Sequence, residues 1–179
     1  MSLIRIIPLQ FAQIEELEKM LSALSSRFGT ECVIGSKRLD LNRYFDPVRS
    51  QYNANEIIKD LLPLAEENDK IVGITELDLF IPVLSYIFGQ AYLGGSAALV
   101  SGHRLENQRY GLVSDPQLFS ARLFKCVIHE LGHAFGLKHC LHPGCTMVST
   151  TYVEELDQKS DRLCKSCRTE LKGIIATQN

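Results

Sequence analysis

His129-Glu130-Leu131-Gly132-His133-Ala134-Phe135-Gly136-Leu137-Lys138-His139 is the stretch on which the reading of this chain turns. On an α-helix, residues i and i+4 lie about 40° apart and about 6 Å along the axis. His129 and His133 therefore project from one face and can bind one metal ion, with Glu130 beside them. His139 cannot join them on a continuing helix, where it would sit about 15 Å along the axis from His129. The helix must stop near Gly136, a residue that takes a left-handed conformation without a Cβ penalty and so can turn the chain back. Two donors, a breaker and a third donor thus read as one device.

Cysteine clusters just downstream. Of six cysteines, Cys140, Cys145, Cys164 and Cys167 lie in the last third of the chain. Two pairs at short spacing fit a closed tetrahedral Cys₄ metal site, and two disulfides are the alternative. Cys164 and Cys167 are spaced i, i+3, which on a helix puts them on one face. Neighbouring side chains in an extended segment point to opposite sides, so His139 and Cys140 can serve two different ions. Cys32 and Cys126 sit in apolar contexts and read as small core residues, and His142 as a loop residue near the cluster.

The rest of the composition is ordinary. The 179 residues carry 45% apolar and 22% charged side chains, which excludes long disorder, collagen-like repeats and a coiled-coil rod. The net charge of −2, from 19 basic and 21 acidic residues, does not point to a nucleic-acid surface. Lys159, Arg162, Lys165 and Arg168 are interleaved with Glu154, Glu155, Asp157 and Asp161, the pattern of a solvated helix face. Arg5 and Pro8 interrupt the first apolar run too early for a secretory segment, and no run approaches a membrane span. A cytoplasmic monomer with no membrane or nucleic-acid partner is the expectation.

Periodicity predicts a strand over residues 3–9, a helix over 11–27 and a short strand over 31–35. A second helix is predicted over 55–67, kinked or split at Pro63. Residues 39–53 read as irregular, 70–79 as β-prone and 81–88 as unassigned. Two strand-like pieces flank Gly94-Gly95 within residues 90–100, and residues 101–106 are a further strand candidate. Ser114-Asp115-Pro116 signals the start of the helix that carries the histidines. A last helix is predicted over 154–175. Strands mixed with helices, then mostly helix, indicate an α/β or α+β core with a small helical lobe. One domain, 1–179, is expected, with a sheet-and-helix lobe over 1–136 and a smaller lobe over 137–179.

Residues 129–139 match the metzincin signature HExxHxxGxxH, and Met147 stands where the Met-turn of that clan is found. With Cys140, Cys145 and the pair Cys164-Lys165-Ser166-Cys167, the chain resembles the archaemetzincin family of zinc metallopeptidases. The loop between Met147 and Cys164 holds 16 residues, one fewer than the family pattern. The resemblance implies a metzincin-like mixed twisted sheet with an active-site helix and a zinc-pinned C-terminal helical lobe. It implies two zinc ions: a catalytic one on His129, His133 and His139, and a structural one on Cys140, Cys145, Cys164 and Cys167. It implies hydrolysis of a peptide or protein substrate by a zinc-bound water that Glu130 activates, with Gly136 and Met147 supporting the site. The segment 89–100 would be the upper edge strand on which substrate is held, although an ordinary hairpin reads the same way. Some metzincins place a tyrosine two residues after the methionine; Ser149 stands there, and the role of nearby Tyr152 is open. A zinc-stabilised binding module with a latent site is the competing class. The intact ligands and Glu130 weigh against it.

Overall fold

The computed structural model describes residues 3–178. Among the described residues, nine strands and five α-helices follow one another. The first half holds β1 (Ile4–Pro8), α1 (Ile14–Phe28), β2 (Cys32–Ile34), β3 (Phe45–Asp46), β4 (Gln51–Asn53), α2 (Ala54–Leu61) and β5 (Lys70–Thr75). Then come β6 (Leu79–Ile81), β7 (Leu84–Ile87), β8 (Gly89–Ala91), β9 (Ala97–Ser101), α3 (Pro116–Phe135), α4 (Val153–Gln158) and α5 (Lys165–Gln178).

The main sheet has the order β2-β1-β5-β9-β8. Its first four strands are parallel and β8 runs antiparallel against β9, with Gly89 opposite Val100 and Ala91 opposite Ala98. Strand side chains alternate between faces. Ala98 and Val100 accordingly join Ile4, Ile6, Val72 and Ile74 in a core with α1 and α3, while Ala97 and Leu99 join Ile7 and Ile71 in a core with α2. Both faces are covered, which is why these strands read as continuous apolar runs. The first core runs on through Met147, Leu156, Leu163, Cys167 and Leu171, so the C-terminal segment shares the apolar interior of the sheet lobe.

A second sheet, β3-β4-β6-β7, fills residues that sequence left irregular or unassigned. Its strands are two to four residues long, too short to show a period. Two other expectations shift, and the break expected at Pro63 is found. Residues 101–106 do not extend as a strand beyond Ser101; a turn closed by Leu105 N–H donating to Gly102 O (2.9 Å) follows instead. The second helix gives way to a 3-10 turn at Leu62–Leu64, where Pro63 sits. The single helix over 154–175 is two helices, α4 and α5, parted by residues 159–164.

The helix α3 is fixed at both ends by the residues that signalled it. The Asp115 carboxylate accepts from Leu118 N–H (2.9 Å), with Pro116 in the first turn. Such a cap is worth about 1 kcal/mol. At the other end Gly136 is left-handed (φ 115°), and its N–H donates to Gly132 O and His133 O. Leu137 N–H donates to Gly132 O at 2.8 Å, so the spare carbonyls of the last turn are used as the chain reverses.

Candidate active site and metal centres

The reversal at Gly136 brings His139 back to the two helix histidines. The ring centroids of His129 and His133 are 4.6 Å apart, those of His133 and His139 4.8 Å, and those of His129 and His139 5.3 Å. One nitrogen from each ring lies within 4.8 Å of the others. Two of the rings are held by backbone carbonyls: His129 Nδ1 to Thr146 O at 2.9 Å, and His133 Nδ1 to Leu137 O at 2.7 Å. A carbonyl only accepts, so each Nδ1 carries the proton and each Nε2 presents a bare lone pair. These two lone pairs face each other at 3.1 Å. Burial pushes the His129 imidazole down to about 3, so a proton is not what fills the gap. Two opposed acceptors and a third ring at the same point fit a cation with a coordination position left open.

Glu130 is buried, and burial pushes its carboxyl up to about 8 against the pull of the Lys159 ammonium. It lines a cavity of about 610 Å³ together with the three histidines, β8, Tyr86, Phe88, Cys126 and the segment from Ser149 to Tyr152. Gly89 makes this arrangement possible. A Cβ there would lie 2.7 Å from Glu130 Cγ and 2.8 Å from Leu99 O. Met147 is fully buried beneath the helix, close enough that a Cβ on Gly132 would meet its Sδ at 2.5 Å. The cavity's two walls are tied together by the Tyr86 hydroxyl, which donates to Thr151 O at 2.8 Å.

The four clustered cysteines converge separately. Cys140 Sγ is 3.8 Å from Cys164 Sγ, and Cys145 Sγ is 3.9 Å from Cys167 Sγ. Four sulfurs at the zinc–thiolate distance of about 2.3 Å, arranged tetrahedrally, stand about 3.8 Å apart. A disulfide would need about 2.05 Å. All four are free thiols, which decides between the metal and disulfide readings of the spacing. The N–H groups of His142 and Cys164 reach the sulfurs of Cys140 and Cys145 at 3.3 Å each. The Cys167 backbone N–H draws the Cys164 thiol down, while burial pushes the Cys145 and Cys167 thiols up.

Residues 28–173 match the family described as Peptidase family M54. The chain belongs to peptidase family M54. The archaemetzincin of Halobacterium salinarum is 39% identical over 150 residues, covering 82% of this chain and 86% of that protein. The crystal structure of the archaemetzincin of Methanopyrus kandleri superposes with a TM-score of 0.86 at 30% identity, over 98% of this chain and 96% of that one. A zinc-dependent peptidase of Methanocorpusculum labreanum superposes with a TM-score of 0.85 at 30% identity, over 94% and 99% of the two chains. Membership makes the chain a metallopeptidase by class, and its two donor constellations can hold two metal ions.

Within this M54 chain, both ligand sets and Glu130 come together where the spacing put them. Cys164 does so from a different element: it lies in the loop before α5 rather than on a helix face with Cys167. His142 is exposed and contributes backbone groups, its N–H to Cys140 and its carbonyl to Cys145 N–H. Tyr152 is exposed at the cavity rim. Within 89–100 the edge strand is β8 alone, since β9 is internal. Gly94 is a left-handed turn residue whose N–H donates to His133 O, and Gly95 is a close approach, where a Cβ would lie 2.6 Å from Tyr92 Cβ. Three residues were not singled out from sequence: Gly89, Lys159 as a buried cation, and Arg122. Arg122 forms a bidentate pair with Asp157 (2.8 and 2.6 Å) that pins α4 to α3.

Gly136→Val tests the reversal in this M54 site. A β-branched residue at a left-handed position costs about 1–2 kcal/mol, and extending the helix would relieve that strain while carrying His139 away. The variant is expected to lose metal from the histidine constellation and keep it at the cysteines. Anomalous scattering or metal counting reads this directly; full occupancy of the histidines with unchanged geometry would refute it.

Proposed function

We propose that this zinc metallopeptidase hydrolyses peptide bonds with His129, His133 and His139 as ligands of a catalytic zinc and Glu130 as general acid–base. Zinc held there supplies Lewis acidity toward a water and toward the scissile carbonyl. Glu130 faces the same cavity and takes the proton of the attacking water, then delivers it to the leaving amine. Burial raises the affinity of Glu130 for a proton in the metal-free site, the direction a general base needs. The substrate adds as a strand on the open edge of β8, where main-chain hydrogen bonds make little demand on sequence. Cys140, Cys145, Cys164 and Cys167 hold a structural zinc, which pins α5 against the catalytic lobe. We read 1–179 as one catalytic unit, supported by the apolar core shared between 1–136 and 137–179.

The observation that carries this reading is the pair of Nε2 lone pairs opposed at 3.1 Å beside a buried carboxylate on a cavity wall. The experiment is digestion of a peptide library by purified zinc-loaded protein. Cleavage that stops on mild chelation and returns with zinc is expected. Peptides bound but never cut, with both metal sites full, would assign the cavity to recognition instead.

A further inference from the structure

The cavity beside Glu130 contains a charge that the hydrolytic chemistry does not use. Lys159 is 5% exposed, directly follows α4 and lines the cavity. The recess it lines also presents Phe88, Cys126 and Leu156, beside Glu130, the three histidines, Tyr86 and Tyr152. The ammonium donates to Thr146 O and to Val148 O, each at 3.0 Å. An ammonium has three hydrogens. No acceptor for the third is found among the described residues, and no carboxylate lies within ion-pair distance of Nζ among them. The acidic residues of the same stretch are engaged elsewhere: Asp157 with Arg122, and Glu155 with the N–H groups of Thr151 and Tyr152.

A buried ammonium that feels the Glu130 carboxyl only from beyond ion-pair distance costs several kcal/mol of desolvation. Anchoring two carbonyls offsets part of that and explains why the side chain turns inward. It does not explain why one hydrogen is left over at a cavity wall. An incoming carboxylate would complete the set with a charge-assisted hydrogen bond, a neutral amide would do so weakly, and a cationic side chain would be repelled.

We infer that Lys159 makes this peptidase selective for substrates that place an aspartate or glutamate side chain in the recess, next to the bond to be cut. This rests on the proposed hydrolytic reading, and the test separates the two. Paired peptides differing only in Glu against Gln are compared in two ways: by cleavage with the wild-type protein, and by calorimetric binding to zinc-loaded Glu130→Gln. The glutamate peptide is expected to be favoured about tenfold or more at one position. In Lys159→Met the Glu-to-Gln ratio should fall to about one, whatever the absolute rate. Absence of cleavage by wild type would sink the hydrolytic reading, yet the binding comparison would still decide the selectivity. If Lys159→Met does not fold, the wild-type Glu/Gln comparison decides alone. Equal handling of the two peptides at every position overturns the inference, as does an acidic preference that survives in folded Lys159→Met.

Discussion

Glu130→Gln is expected to lower kcat by about 10²- to 10⁴-fold, the contribution of a placed general acid–base, while both metal sites stay filled. The amide keeps the shape of the carboxylate beside Gly89 and has no lone pair basic enough to take a proton. The same substitution should also show in stability, with a sign that can be worked out. In protein whose histidine site has been stripped of metal, the Glu130 carboxyl sits at about 8 against an ordinary value of 4.5. The native state then binds a proton that the unfolded chain has released, so stability falls as pH rises from 4.5 through 8. Glu130→Gln removes that loss. Stripped variant should melt above stripped wild type at pH 8, and the two should converge below pH 4.5. A variant that turns over normally would place the general base elsewhere; parallel melting curves across that range would show that burial does not raise the Glu130 carboxyl.

Cys167→Ala carries the largest expected cost in stability. A structural zinc contributes about 10–16 kcal/mol of binding free energy to small folded modules at neutral pH. This chain has an independent core and stands to lose only part of that. Removing one sulfur from a closed set leaves three thiolates converging without their ion, and α5 loses its tether to the loop between His139 and Cys145. A loss of about 4 kcal/mol corresponds to about 10 °C in Tm for a chain of this size. The matched comparison is His139→Ala, which empties an open site on an exposed loop. It should change activity far more than Tm. Metal analysis beside calorimetry decides the matter. If His139→Ala melts lower than Cys167→Ala, the two sites have been assigned the wrong way round.

The catalytic half of this molecule was legible because its logic is local. Asp115-Pro116 starts α3, Gly136 ends it, and the histidine spacing follows from the helical period, so eleven consecutive residues determine the geometry. The break between α4 and α5 was not legible, because no Gly or Pro marks it. It is made by contacts distant in sequence: Lys159 turning in to Thr146 O and Val148 O, Ser160 N–H reaching Gly144 O, and Thr146 N–H reaching Arg162 O. A polar, evenly charged run has helical propensity throughout and yields only where the cysteine loop offers better partners. The second sheet was hidden for another reason. Its strands bury few side chains, and Gln51, one of its buried residues, is satisfied by Asp78 and Ser85 O rather than by apolar packing. Gly89 looked like any glycine at a strand end until Glu130 was placed against it.

The Nδ1 atoms of the two histidines on α3 are held by the carbonyls of Leu137 and Thr146 and, among the described residues, by no side chain. Every amino acid supplies a carbonyl, so this support is indifferent to which residue occupies either position, provided the chain takes the same path. Point substitution therefore has little purchase on these carbonyls, whereas insertions or deletions between 137 and 146 would change the spacing of the two acceptors. A scan of tolerated variation should find Leu137 and Thr146 limited by the packing of their buried side chains rather than by their carbonyls, and the segment strict in length. The orientation of the site is stored in the spacing of the backbone, a quantity that ordinary mutational drift leaves almost untouched.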